Sequence, residues 1–192
     1  MGHRREKMMS TRKIGVIVGS IRKESINRKL AEALMKLFPD DLRCEILRID
    51  DIPVFNQDNE TAPIESVARL RREVAEADGI LFVTPEHNRS LPTALKNALD
   101  WASRPYGDNK WAGKPAGIAG ASPGAVGTAA VQQHLRSVLG YLDMPTLGQP
   151  EVFIQFKDDL IDGQGGISVD STREFLQGFV NRYVQWVEKF AR

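Results

Sequence analysis

The sequence predicts a doubly wound α/β fold, in which a parallel sheet is covered by helices on both faces. Short apolar runs rich in β-branched residues alternate with segments whose apolar residues recur every three to four positions. The apolar runs are continuous, as expected for strands that are buried on both faces. Each helical segment except the last connects two such runs, and parallel strands require a connection of this kind.

The first predicted unit is a strand over residues 13–19 followed by a helix over residues 27–38. Leu30, Ala31, Leu34 and Leu37 lie on one face of that helix, and Pro39 ends the pattern. The other predicted strands cover residues 45–49, 79–84, 116–121 and 151–156, and the other helices cover 64–77, 91–103, 125–142 and 170–190. No repeat or linker divides this series. We therefore expect one domain over residues 13–192 and a flexible N-terminal tail over residues 1–12.

Composition restricts the possible partners. The 192 residues include 26 basic and 25 acidic side chains, a formal charge of +1, which provides no broad electrostatic field for nucleic acid or an anionic membrane. The chain contains no apolar stretch of about 18 residues, and its N-terminal residues lack the apolar run of a signal peptide. Its one cysteine, Cys44, cannot form an internal disulfide. We expect a cytoplasmic protein that acts on small molecules.

The loop after the first strand contains groups suited to a phosphate. Ligands of open parallel sheets bind where the loops that leave the carboxyl ends of the strands converge. This loop offers the Ser20 and Ser25 hydroxyls, the Arg22 guanidinium, the Asn27 amide and the backbone N–H groups of a helix N-terminus. The glycine motifs for dinucleotides and nucleoside triphosphates are absent. Alternatively, Ser25 or Asn27 only caps the helix and Arg22 is a surface charge.

The loops after the third and fourth strands could receive a flat ring. Pro85 stiffens the first of them, and the Asn88 amide can donate to and accept from a planar heterocycle. His87 could transfer a proton or only pack, and Glu86 could be a buried structural carboxylate. The loop at residues 120–128 is rich in glycine, so its backbone amides could meet the polar edge of a ring, or it could be a tight turn that opens a helix.

Residues outside these loops are interpreted as structural. Lys96, Asn97 and Asp100 are expected to stabilise the fold or an interface. Trp101, Tyr106 and Trp111 could either cover a subunit contact or pack in the core. The acidic segment at residues 157–166 lacks the spacing of a calcium-binding loop, so we predict no metal site there.

Several motifs together resemble a known family. They are Gly19-Ser20-Ile21-Arg22 with Ser25 and Asn27, Thr84-Pro85-Glu86-His87-Asn88, Leu95-Lys96-Asn97-Ala98-Leu99-Asp100-Trp101, Gly113-Lys114-Pro115 and Ser122-Pro123-Gly124. In this order, over residues 13–190, they resemble the NADPH-dependent FMN reductases, and most closely the bacterial quinone and chromate reductase branch.

The resemblance implies a flavodoxin-like three-layer sandwich with a five-stranded parallel sheet of order 2-1-3-4-5. It also implies bound FMN, NADPH or NADH as electron donor, and a homodimer or homotetramer. The FMN-binding residues it implies are Ser20, Arg22, Ser25, Ile26 and Asn27 at the phosphate, Pro85, Glu86, His87 and Asn88 beside the ring, and Ser122, Pro123 and Gly124 at its pyrimidine edge. His87 departs from the family, which usually has tyrosine at this position.

The implied reaction transfers hydride from NADPH to N5 of FMN and then two electrons to a quinone or another acceptor, such as chromate, an azo compound or free flavin. The cofactor carries this chemistry, so no catalytic side chain is expected. We also expect Arg89 to attract a phosphate of NADPH. Two alternatives remain at this point. One is a flavodoxin-type electron carrier without NADPH activity, and the other is a phosphate-binding hydrolase, for which the sequence offers no convincing nucleophile.

Overall fold

A five-stranded parallel sheet lies at the centre of the computed structural model, which describes residues 12–190. Its strands are β1 (Arg12–Val18), β2 (Leu42–Ile46), β3 (Gly79–Val83), β4 (Ala116–Ser122) and β5 (Val152–Gln155). They are arranged in the order β2-β1-β3-β4-β5. The helices are α1 (Ile26–Met35), α2 (Glu65–Glu76), α3 (Thr93–Ala102), α4 (Ala129–Tyr141) and α5 (Asp170–Phe190). The predicted strand order is confirmed.

Two apolar cores, one on each face of the sheet, hold the layers together. Leu34 of α1 and Phe179 of α5 are buried against one face. Leu70 of α2, Leu95 of α3 and Leu135 of α4 are buried against the other. Removing this apolar surface from water is the main force that holds helices to the sheet. The fold is therefore the predicted flavodoxin-like three-layer sandwich.

Three predicted elements differ from the structure by three residues or more. Helix α1 ends at Met35 rather than 38, since Leu37 and Phe38 already form a turn that bonds back to the carbonyls of Leu34 and Met35. Strand β2 pairs with β1 over Leu42–Ile46, whereas the sequence indicated 45–49. β2 is an edge strand, and its residues are exposed or only partly buried, so the strand does not show the continuous apolar run of a buried strand. Leu47 and Ile49, which suggested the later bounds, are buried in the core after the last residue that pairs with β1. Helix α4 begins at Ala129 rather than 125, because Gly127 adopts a φ of 62° that interrupts helical geometry. The predicted tail lies outside the described residues, except for Arg12, where β1 begins.

Helix α3 fixes the loop that follows β2. The Asn97 amide accepts a hydrogen bond from Phe55 N–H at 2.7 Å and donates to the Pro53 carbonyl at 2.9 Å. The Trp101 indole N–H also donates to the Pro53 carbonyl, at 2.7 Å. The structural interpretation of Asn97 is therefore confirmed. Among the three aromatic residues left open by the sequence, Trp101 and Trp111 are buried in the core, while Tyr106 is 82% exposed.

The segment between β5 and α5 covers one end of the first core. Leu160 and Ile167 are buried, and Asp162 Oδ1 accepts the N–H groups of Gln164 and Gly166 at 2.8 Å each.

Within residues 12–190, no three His, Cys, Asp or Glu side chains are grouped closely enough to hold a metal ion. None of the helices in that range combines the length and apolar character that crossing a membrane requires.

Paired glycine substitutions test the packing of α5 against the sheet. A Cβ on Gly117 would lie 2.8 Å from the buried Tyr183 ring, so Gly117→Ala should lower the free energy of unfolding by about 1–3 kcal/mol. Gly178 lies within α5 with open space around it, so Gly178→Ala should raise that free energy by about 0.5–1 kcal/mol. Urea unfolding of both variants measures the two signs. An unchanged free energy of unfolding in Gly117→Ala would contradict the close packing of Tyr183 against β4.

Candidate functional site

The loops that follow β1, β3 and β4 meet at the carboxyl edge of the sheet. Gly19 N–H donates to the Val83 carbonyl at 2.9 Å, and Thr84 N–H donates to the Ala119 carbonyl at 3.0 Å, so the three strands end at the same level. A Cβ on Gly19 would lie 2.6 Å from Thr84 Oγ1, and this close approach requires glycine. The structure therefore brings together the three loops that the sequence selected.

The N-terminus of α1 and the loop that precedes it, here called the phosphate cup, present hydrogen-bond donors from residues 20–27 at the carboxyl edge. Ser25 is the N-cap, and its Oγ accepts the Arg28 N–H at 3.1 Å, which leaves the hydroxyl proton able to donate. The N–H groups of Ile26 and Asn27 lie in the first turn, where no intrahelical partner exists. Arg22 is exposed beside them. These donors and the positive end of the helix dipole fit a phosphate monoester such as that of FMN.

The side chain of Asn27 has a different role from the predicted one. It is 1% exposed, its Nδ2 donates to the Ala121 carbonyl at 2.9 Å, and its Oδ1 accepts the Ala121 N–H at 2.9 Å. The amide therefore joins α1 to the end of β4 and is not a side-chain phosphate ligand. Only the Asn27 backbone N–H is left for a phosphate. The sequence missed this role because the partner lies 94 residues away.

The Glu86 side chain closes the N-terminus of α4. Its Oε2 accepts the N–H groups of Ala130 and Val131 at 3.1 Å each, and Oε1 pairs with Arg89 at 2.8 Å. The side chain is only 7% exposed. Burial opposes ionisation, but the hydrogen bonds from Val131, Arg89 and Ala130 outweigh it and lower the pKa of Glu86. The structure therefore supports the interpretation of Glu86 as a buried structural carboxylate.

A tight turn presents His87 and Asn88 to solvent at this edge. His87 and Ser90 exchange two backbone hydrogen bonds, of 3.1 and 2.9 Å, and Asn88 and Arg89 between them have φ values of 49° and 65°. These positive φ values define a turn of the type I′ kind, which Asn tolerates and Arg adopts at some cost. Ser90 Oγ contacts His134 Nδ1 of α4 at 3.1 Å. The turn is thus fixed to α4.

The loop after β4 exposes backbone rather than side chains. The Ser122 hydroxyl donates to the Gly124 carbonyl at 3.1 Å, and Gln155 donates to the Pro123 carbonyl at 3.3 Å. Within the described part of the chain, the N–H groups of Gly124 and Ala125 have no hydrogen-bond partner, and both residues are exposed. These amides remain able to meet the edge of a ring, whereas the Ser122 hydroxyl is engaged within the turn.

A cleft that the sequence analysis missed lies on the β2 side of the β1–α1 loop. Its volume is about 350 Å³, and Arg22, Arg28, Arg48 and Asp50 contribute charged groups to its lining. Arg48 and Asp50 directly follow β2 and pair with each other at 2.7 Å. Their position immediately after a strand, at the carboxyl edge, was the sequence signal that could have identified them.

The amino-acid sequence is similar to those of known enzymes. The family described as NADPH-dependent FMN reductase matches residues 12–159. A 2-hydroxy-1,4-benzoquinone reductase from a Burkholderia species is 47% identical over 91% of this chain and 96% of its own length. A quinone reductase from Pseudomonas putida is also 47% identical, over 91% of this chain and 94% of its own length.

Solved structures of flavoproteins have the same fold as this chain. FerB, a flavoenzyme NAD(P)H:(acceptor) oxidoreductase from Paracoccus denitrificans, is 41% identical and superposes with a TM-score of 0.91, covering 94% of this chain and 100% of its own. A flavodoxin from Pseudomonas aeruginosa covers 92% of this chain with a TM-score of 0.58, but at 16% identity it shows only a shared fold.

The role of Glu86 predicts an acid-dependent loss of stability. Because its pKa is lowered in the folded protein, its contribution is complete above the ordinary value of 4.5 and is lost as the pH falls through the lowered value. Glu86→Gln should cost about 1–2 kcal/mol at neutral pH, and its difference from wild type should shrink below about pH 4.5.

Urea unfolding at a series of pH values measures this difference. Glu174→Gln, an exposed change on α5, is the matched control and should leave stability within about 0.5 kcal/mol of wild type. A Glu86→Gln penalty that stays constant into acid would count against the charged helix cap.

Proposed function

Since the chain belongs to the NADPH-dependent FMN reductase family and is an oxidoreductase of FMN and NAD(P)H, we propose that it reduces a quinone with electrons from NAD(P)H. The printed names of the Burkholderia and Pseudomonas putida relatives support a quinone as acceptor. Chromate, azo compounds and free flavin are further acceptors that the proposed activity accommodates.

One observation about the helix N-termini supports the placement of the cofactor. At the carboxyl edge, the N-terminus of α4 is filled by the Glu86 carboxylate, whereas that of α1 retains the first-turn N–H groups beside Ser25 and Arg22. A phosphate would be repelled at α4 and attracted at α1. We therefore propose that the FMN phosphate lies at α1, held by Ser20, Arg22, Ser25 and the backbone of Ile26 and Asn27.

The remaining loops would orient the isoalloxazine ring. Bound FMN supplies the redox chemistry by accepting hydride from NAD(P)H and passing two electrons to the acceptor. Pro85, His87 and Asn88 would border the ring from the β3 side. The exposed N–H groups of Gly124 and Ala125 would face its pyrimidine edge, where such donors stabilise negative charge. Ser122 and Pro123 would shape that turn.

The two alternative functions receive less support. A hydrolase needs a nucleophile, but Cys44 lies in β2 and burial raises its pKa to about 12, so the thiolate is not available at neutral pH. An electron carrier is not favoured, because the relatives with high identity are named reductases and the flavodoxin likeness extends only to the fold.

A homodimer or homotetramer is also proposed. Tyr106 and Val54 are 82% and 79% exposed, which is unusual for large apolar side chains, and Arg104 lies 5.4 Å from the Tyr106 ring centroid. Aromatic residues and arginine are enriched in protein interfaces.

The cytoplasmic location and the attraction of NADPH by Arg89 stay predictions. Arg89 is paired with Glu86 but is 69% exposed.

The absorbance spectrum of FMN-reconstituted protein tests the proposed function. Addition of NADPH without oxygen should bleach the flavin bands completely, and a quinone should then restore them. Free FMN mixed with NADPH in the absence of protein is the control. Bands that persist with NADPH would indicate an electron carrier, and failure to bind FMN at all would exclude the proposed cofactor site.

Replacing Arg22 tests the phosphate site. A charge-assisted hydrogen bond to phosphate is worth about 1.5–3 kcal/mol, so Arg22→Ala should weaken FMN binding about tenfold or more. Titration of apoprotein with FMN, followed by flavin fluorescence, gives the affinity. Lys23→Ala, which removes the adjacent exposed cation, should change it much less. Equal affinities of Arg22→Ala and wild type would remove Arg22 from the site.

A further inference from the structure

The cleft on the β2 side adjoins the proposed phosphate cup, since Ser20 and Arg22 contribute to its lining, but its residues Arg28, Arg48 and Asp50 have no role in the proposed binding of FMN. The phosphate cup lies above β1, and the loops that would hold the ring follow β3 and β4. In the order β2-β1-β3-β4-β5, the cleft is therefore on the opposite side of the phosphate cup from the ring. Its volume of about 350 Å³ is within the range of small-ligand sites.

We propose that this cleft binds the adenosine ribose of the nicotinamide cofactor, with Arg48 contacting the 2′-phosphate of NADPH. The inference rests on the proposed function and names the residue that selects between NADPH and NADH. With Arg22 assigned to the FMN phosphate, the guanidinium groups of Arg28 and Arg48 remain in the lining of the cleft, and arginine is the side chain best suited to a dianionic phosphate.

The end of β2 is held in place before any ligand binds. Arg69 of α2 donates to the Arg48 carbonyl at 3.2 Å and to Asp51 Oδ1 at 2.7 Å, which ties the segment after β2 to the neighbouring helix. Arg48 itself pairs with Asp50 at 2.7 Å and approaches Asp51 at 3.6 Å. The guanidinium is thus oriented over the cleft, although it is 62% exposed and can exchange its partner.

Asp50 gives the cleft a second specificity. The Arg48 hydrogen bond and charge lower the pKa of Asp50, so this carboxylate is ionised at neutral pH. An ionised carboxylate can accept a ribose hydroxyl of NADH but repels the 2′-phosphate of NADPH. Arg48 and Asp50 therefore act in opposite directions on NADPH binding.

Three strand spacings separate β2 from β4, a distance of about 14 Å. A dinucleotide in extended form can cross this distance, so its nicotinamide could reach the ring while its adenosine occupies the cleft. Arg89 follows β3, on the far side of the phosphate cup, and is the competing candidate for the same phosphate.

Calorimetric titration of FMN-loaded protein with 2′,5′-ADP and with 5′-AMP tests the inference. Arg48→Ala should weaken 2′,5′-ADP binding about three- to tenfold and leave 5′-AMP binding unchanged. Asp50→Asn should strengthen 2′,5′-ADP binding, and a general loss of folding cannot produce this opposite sign. The KM for NADPH should follow the same two directions, while the KM for NADH stays constant in Arg48→Ala.

Arg43→Ala is the matched control, because Arg43 is an exposed arginine in β2 itself, outside the cleft lining. Unchanged 2′,5′-ADP affinity in Arg48→Ala, an equal loss for 2′,5′-ADP and 5′-AMP, or a loss found in Arg89→Ala instead would each overturn the assignment. Protein that binds FMN but is not reduced by NADPH would overturn the proposed function as well. Reduction of flavin with an unaffected Arg48→Ala would overturn only the present inference.

Discussion

The site depends on one buried contact, in which the Asn27 amide pairs with both backbone groups of Ala121. It joins the first turn of α1 to the end of β4 and so fixes the distance between two loops. The five buried polar residues in the described range are Ser25, Asn27, Thr84, Thr128 and Gln132. All five lie at or near the carboxyl edge, where unsatisfied polar groups are costly, and of their side-chain atoms only Gln132 Oε1 is buried without a hydrogen-bond partner in the described range. Burying polar groups here makes loop positions specific, because few alternative arrangements would satisfy them.

Helix electrostatics then distinguish two N-termini that would otherwise attract an anion equally. Glu86 supplies a permanent carboxylate at α4, so that helix is already neutralised by the chain itself. The N-cap of α1 is an uncharged serine, which leaves the helix dipole for an external anion. The same carboxylate pairs with Arg89 and steadies a turn with two residues at positive φ. One side chain therefore excludes phosphate from α4 and stabilises the loop on the opposite side of the ring site.

The sequence predicted the architecture well, because continuous apolar runs mark buried parallel strands and the pattern of α5 extends over its observed length. Prediction was poorer where burial is partial, as in β2, and where a single backbone angle sets a boundary, as at Gly127 before α4. The site loops were found from local composition. The roles of Asn27 and Glu86 were not settled from the sequence, since their partners lie 94 and 44 residues away and only the fold brings them together.

Contacts on the two sides of the phosphate cup differ in how easily they can be exchanged. On the β4 side, the Asn27 amide is buried, so breaking its hydrogen bonds to Ala121 would leave buried polar groups without partners. On the β2 side, the Arg48–Asp50 pair is exposed, and an exposed ion pair contributes little to stability. A ligand can therefore take Arg48 from Asp50 at small cost to the fold. The contacts on the β4 side are thus a fixed part of the fold, whereas those on the β2 side can be exchanged for a ligand that binds and leaves, as the proposed nicotinamide substrate would.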